Sequence, residues 1–90
     1  MAFTPENSEV YRTAADFGDR VAALTVGFPK DGHSLGEKLN RVAGSIAEKL
    51  AEATGRNARA ERINCYVGAL KDIRECVPLL ALARRQRLLD

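Results

Sequence analysis

Apolar residues recur every three or four positions along almost the whole of this 90-residue chain, and turn signals interrupt them only twice. That spacing is the repeat of an α-helix that buries one face. Val10, Ala14, Phe17, Val21, Leu24 and Phe28 make the first run. Leu35, Leu39, Val42, Ala43, Ile46, Leu50 and Ala53 make the second. Ile63, Tyr66, Val67, Leu70, Ile73, Val77 and Leu80 make the third. No stretch alternates apolar and polar residues as a half-buried strand does, and there is no internal repeat. The pattern predicts an all-α domain, an antiparallel bundle of three long helices.

The residues between the runs read as helix ends. Thr4-Pro5-Glu6 offers an N-cap, a proline at the first helical position and an early acid, so a helix is expected over about 5–28. Phe28-Pro29 and Lys30-Asp31-Gly32 end it in a turn. Ser34-Leu35-Gly36-Glu37 has the form of a capping box, which starts a second helix over about 34–54. Gly55 then suits a left-handed position after that helix. Asn57 is placed to cap a third helix over about 57–88. Pro78 lacks an N–H and its ring crowds the Arg74 carbonyl. A kink or a break is expected near Pro78; Val77 would cap a new helix poorly, which favours the kink.

Composition agrees with one folded domain over residues 1–90. The chain is 46% hydrophobic and 29% charged, without Trp, and rich in good helix formers. A chain this short buries only about 60–65% of its unfolded surface, so its core is small and association with other copies is one remedy. No apolar run reaches the ~18 residues that span a bilayer. Met1 to Glu6 lacks the basic and apolar regions of a signal peptide. Two cysteines fit a reducing cytoplasm better than a disulfide framework.

Each run has a second, smaller flank. Tyr11, Ala15, Gly18, Ala22 and Val26 lie beside the first, and Gly36, Asn40, Gly44, Ala47 and Ala51 beside the second. Cys65, Gly68, Ala69 and Cys76 lie beside the third. Such faces gain little by burial, and an interior Gly costs about 1 kcal/mol against Ala. What they permit is close approach of another backbone. That backbone belongs either to the same bundle or to another subunit. Tyr11, Gly18, Ala22, Gly44, Ala47 and Ala51 are the candidate subunit contacts.

Charge is uneven. Residues 1–55 sum to −2 and residues 56–90 to +4. Arg56, Arg59 and Arg62 recur every third position, and Arg84, Arg85 and Arg87 close the chain. The guanidinium fork suits phosphate, so these six are the candidate nucleic-acid contacts. The alternative is a solvated face, with 84–87 complementing a helix C-terminus. There is no aromatic interleaving for single-strand stacking and no groove-reading motif. Glu52 and Arg56, spaced i and i+4, form the expected polar pair. Glu48 belongs to the same solvated charged face. His33 reads as a solvated turn residue. Cys65 and Cys76 are separated by a rise of about 16 Å, too far to pair, and read as small packing residues. No nucleophile, base or metal cluster comes together, so neither enzyme activity nor a metal or cofactor is expected.

The order of features resembles the four-helix bundle family of 23S ribosomal RNA intervening-sequence proteins, with their relatives the accessory variability determinants of diversity-generating retroelements. The likeness runs from Glu9-Val10-Tyr11 through Phe28-Pro29. It is closest in Leu39-Asn40-Arg41-Val42-Ala43-Gly44-Ser45-Ile46 and in Leu50-Ala51-Glu52-Ala53-Thr54-Gly55-Arg56, with an echo in Gly68-Ala69-Leu70 and Asp72. Lys49 stands where the family has Asn, and Ala53 where it has Gly. Asp90 falls near where the family's last helix would begin. The fourth helix is therefore expected to be short or missing, its place taken by the segment after Pro78 or by a neighbouring subunit. The resemblance implies a ring-like, often pentameric, homo-oligomer without catalytic activity. The leading expectation is a self-assembling bundle whose basic surface binds RNA or DNA non-specifically. The alternative is a protein-interaction scaffold or accessory subunit, for example of a reverse transcriptase, with no nucleic-acid role.

Overall fold

The computed structural model describes residues 8–89. Three helices follow one another: α1 (Glu9–Val26), α2 (His33–Thr54) and α3 (Arg59–Arg85). A single 3-10 turn, Lys30–Gly32, leads into α2. No strand occurs among the described residues. α2 lies in the middle and packs against both others, while α1 and α3 hardly meet. Gly18 lies beside Ala43 and Gly44, and Thr25 beside Gly36 and Asn40, so α1 and α2 run antiparallel. Lys49 beside Gly68 and Gly32 beside Leu88 give the same sense for α2 and α3. The body is elongated, 46 × 21 × 16 Å.

The helix ends differ from the expected ones. Ser8 is extended (φ −86°, ψ 125°) and its hydroxyl accepts from the Tyr11 N–H at 3.2 Å, so α1 starts at Glu9. The expected start at Thr4-Pro5-Glu6 lies outside the described residues. The capping box at Ser34 does not form. The 3-10 turn already holds His33 in helical geometry (φ −60°, ψ −45°), which places Ser34 inside the helix. His33 is thereby the first residue of α2 rather than part of a turn, and its Nε2 sits 2.9 Å from Glu37 Oε1. Gly55 is right-handed (φ −90°, ψ −2°), not left-handed. The Gly55 and Arg56 N–H groups donate to the Glu52 and Ala53 carbonyls, so a tightened last turn ends α2. Asn57 is not the cap of α3. Extended Ala58 precedes the helix without a side-chain cap, and the Asn57 carbonyl instead accepts from Arg62 Nη1 at 2.8 Å. α3 runs from Arg59 to Arg85 through Pro78 as one element, so no break occurs there. Both Arg74 and Pro78 are exposed, which leaves solvent to take the freed carbonyl.

The left-handed residue is Arg87 (φ 61°). There Leu88 N–H donates to Ala83 O at 2.9 Å and Arg87 N–H to Arg84 O at 3.0 Å, the paired bonds of a Schellman ending. This turn folds Leu88 back onto buried Gly32. A Cβ at Gly32 would stand 2.8 Å from both Leu88 methyl carbons.

The core is small, as the length requires. Ala14 and Val21 of α1, Leu39, Val42, Ala43 and Ile46 of α2, and Ala69, Cys76 and Leu79 of α3 form it. Phe17, Leu35, Ala47, Leu50 and Leu80 pack around it. One expectation is reversed here. The large apolar run of α3 does not enter the core: Ile63, Tyr66, Val67, Leu70, Ile73 and Val77 are exposed. α3 turns its small flank to α2 instead. That rotation buries Asp72 opposite Lys49, its ionic partner. With the large run inward, the acid would lose that partner.

Candidate interaction surfaces

α3 carries two seams at heptad spacing. Cys65, Ala69, Asp72, Cys76, Leu79 and Ala83 are separated by four, three, four, three and four residues, and this seam faces α2. Ile63, Tyr66, Leu70, Ile73 and Val77 repeat the same rhythm in water. Lys49 crosses from α2 to the first seam, its Nζ 2.8 Å from Asp72 Oδ2. Gly68 makes the passage: a Cβ there would lie 3.1 Å from Lys49 Cδ. In the sequence this polar crossing shows only as Gly68 and Asp72, one turn apart on a helix. Cys65 and Cys76 are both free thiols. Burial pushes the Cys76 thiol pKa up, and the charges of Asp72 and Glu75 add to it.

α1 and α3 both pack on α2 but hardly meet each other, and an apolar groove of about 630 Å³ opens between them. Glu9, Val10 and Phe17 line one wall, Ile73, Val77 and Leu80 the other, and Ile46 and Leu50 of α2 the floor. A smaller hollow of about 370 Å³ lies where α1 meets the start of α2, bordered by Phe28, His33, Gly36 and Glu37. It is occupied in part by a polar tie: Asn40 Nδ2 donates to Thr25 Oγ1 and to the Gly36 carbonyl. Among the described residues no group of three or more His, Cys, Asp or Glu is placed to hold a metal. No described helix is long and apolar enough to cross a membrane.

The six arginines separate into two groups. Arg59 and Arg84 lie about 38 Å apart along α3 at 1.5 Å per residue. Arg56 is engaged with Glu52, whose hydrogen bond and charge push the guanidinium pKa further up. Arg62 donates to the Arg56 and Asn57 carbonyls. Arg59, Arg84, Arg85 and Arg87 are exposed and make no side-chain hydrogen bond or ion pair among the described residues.

The small-flank residues gather on the α1–α2 pair. A Cβ at Gly18 would meet Ala43 O at 3.8 Å and Gly44 Cα at 3.9 Å, ordinary contacts. A Cβ at Gly44 would meet nothing within 4 Å. Ala47 packs on the core, Tyr11 and Ala51 are half-buried, and Ala22 is exposed.

No curated protein and no solved structure matches the chain significantly. The family model described as 23S rRNA-intervening sequence protein matches residues 6–90, nearly the full length. The chain therefore belongs to the 23S rRNA-intervening sequence protein family.

Proposed function

We propose that this protein is a non-enzymatic interaction module of the cytoplasm, and that its working surface is the outer face of α3 with the groove beside it. The observation that carries this reading is the seam from Ile63 to Val77, left in water while the smaller Ala69, Cys76 and Ala83 of the same helix are buried. Soluble monomers seldom expose a contiguous apolar patch above about 300–600 Å². A helix apolar on two faces has room for neighbours on both. The three helices supply three sides of a four-helix bundle, and the outer face of α3 is open to a fourth. A bend at Pro78 would fall within that seam. Assembly into the ring-like, pentameric oligomer implied by the resemblance is part of the proposal, with the open side of Gly44 as a further contact face. An accessory role beside a polymerase uses the same surfaces.

The test compares wild type with Leu70→Asp, which sits on the exposed seam. Sedimentation equilibrium reads self-association, and co-purification from the native host after nuclease treatment reads other protein partners. Wild type is expected to associate in at least one assay, and Leu70→Asp to lose it while keeping its helical content. A wild-type protein that stays monomeric and recovers no nuclease-resistant protein overturns the reading.

A second reading rests on Arg59, Arg84, Arg85 and Arg87, exposed and without side-chain partners among the described residues. They would contact the phosphates of RNA or DNA without reading sequence, and a ring would repeat them by symmetry. Fluorescence anisotropy with hairpin RNA and duplex DNA across a salt series should give binding that weakens linearly in log–log form. Absence of binding at low salt, or binding indifferent to salt, removes this reading.

A further inference from the structure

We infer that the hollow between the end of α1 and the start of α2 is a binding site for a flat organic cation, an amidinium or guanidinium group. Its volume of about 370 Å³ is walled by the last turn of α1, by Phe28, and by His33, Gly36, Glu37 and Asn40 of α2. No residue of α3 lines it, so the site is separate from the surface proposed above.

Hydrogen bonds fix what the hollow offers. Thr25 Oγ1 donates its hydrogen to the Ala22 carbonyl at 3.2 Å, which leaves it an acceptor. Asn40 Nδ2 gives one hydrogen to Thr25 Oγ1 and the other to the Gly36 carbonyl at 3.0 Å. Both donors of the amide are thereby committed, and it cannot turn over without losing them. Its oxygen, Oδ1, is left as a pure acceptor. No buried side-chain nitrogen or oxygen among the described residues lacks a partner, so this oxygen is open to solvent.

Glu37 adds the charge. It and His33 are the titratable residues among those lining the hollow. His33 Nε2 sits 2.9 Å from Glu37 Oε1, and Oε2 has no ion-pair partner among the described residues. Arg41, one turn beyond Glu37, and Lys30 of the 3-10 turn neither line the hollow nor pair with that carboxylate. α1 ends and α2 begins here, so their opposite terminal partial charges offset, and the side chains set the sign. Glu37 and Asn40, three residues apart, share one face of α2. Two neighbouring acceptors, one of them charged, suit a forked N–H donor. Phe28 supplies an aromatic wall drawn close to α2, since a Cβ at Gly36 would stand 3.3 Å from Phe28 Cδ2. Beside such a ring a planar, weakly hydrated cation does better than a compact ammonium. An anion would face Glu37 and the Asn40 oxygen. A purely apolar ligand would strip water from that oxygen without replacing it.

The experiment titrates the full chain with benzamidine, benzamide and benzoate, one ring carrying a positive, a neutral and a negative head. N-acetyl-argininamide is the fourth probe, and proton–nitrogen correlation spectra give the readout. Benzamidine is expected to bind with a dissociation constant on the order of 1–10 mM, ahead of benzamide and benzoate. It should shift the Asn40 side-chain amide and the Gly36 and Glu37 backbone amides. Glu37→Gln, at an exposed position, should weaken benzamidine about threefold or more and erase its lead over benzamide. Phe28→Leu should weaken it as well at unchanged helical content. N-acetyl-argininamide binding tighter than benzamidine makes the natural source an arginine side chain of another chain; the reverse order makes it a free small molecule. No shift at these amides up to about 20 mM benzamidine, equal binding of benzoate, or indifference to Glu37→Gln overturns the inference.

Discussion

Removing Lys49 should harm the fold more than removing Asp72, although they form one ion pair. The Lys49 side chain is 35% exposed and that of Asp72 only 11%. With Asp72→Ala, the ammonium is free to swing into water and loses a partially screened partner, a cost of about 1 kcal/mol. With Lys49→Met, the carboxylate stays between α2 and α3 without a counter-charge. Breaking a fully buried pair costs about 3–5 kcal/mol, and the solvent already reaching Lys49 lowers this to about 2–3 kcal/mol. The double variant leaves no orphan charge and should fall within about 1 kcal/mol of wild type. The coupling in the double-mutant cycle is then on the order of 2 kcal/mol. For a chain of this size Lys49→Met should lower Tm by roughly 10–20 °C. Urea unfolding followed by far-ultraviolet circular dichroism measures all four proteins, at low and at about 1 M salt, where the partly buried pair should lose little. Equal losses from the two single substitutions, or a coupling below about 0.5 kcal/mol, would refute the reasoning.

Arg87→Gly should raise stability by about 1 kcal/mol, read as a higher Tm, because it relieves the left-handed strain at φ 61°. Gly32→Ala should lower stability by about 1–2 kcal/mol in urea unfolding, since the new Cβ forces Leu88 from its seat. Gly44→Leu meets open space and should raise monomer stability by about 0.5–1 kcal/mol through helix propensity; a fall in sedimentation coefficient would assign that face to assembly. Mass spectrometry of a brief alkylation near neutral pH should find Cys65 modified before Cys76, whose thiol is buried and held protonated. The neutral Cys76 thiol also contributes stability that is full below the ordinary thiol range and declines as pH rises toward its displaced value.

Helix number and type were legible because the 3.6-residue period of Val10 to Phe28, Leu35 to Ala53 and Ile63 to Leu80 has no strand-like competitor. The helix ends were less so. Ser34 and Asn57 have capping chemistry, but a 3-10 turn and the Arg62 side chain reached the backbone first. Apolar size alone is a poor guide to the facing of α3, because its large residues lie outward and its small ones inward. Side-chain size does not report whether a buried acid has a cation opposite, and Lys49 is far from Asp72 in sequence. The arginines were visible as residue types, but the engagement of Arg56 with Glu52 and of Arg62 with two carbonyls depends on the loop geometry. The α1–α3 groove had no signature, because it lies between two helices remote in sequence.

The central place of α2 also governs how the chain folds. Both helix–helix interfaces join neighbours in sequence, and the long-distance pair α1–α3 contributes almost nothing. Such low contact order belongs to chains that fold in microseconds to milliseconds. Each hairpin closes a short loop, so either can form first with little entropic penalty. They nevertheless share α2 as a single template. A lesion in its buried face, such as Leu39→Ala, would remove part of the surface on which both partners condense and slow both routes at once.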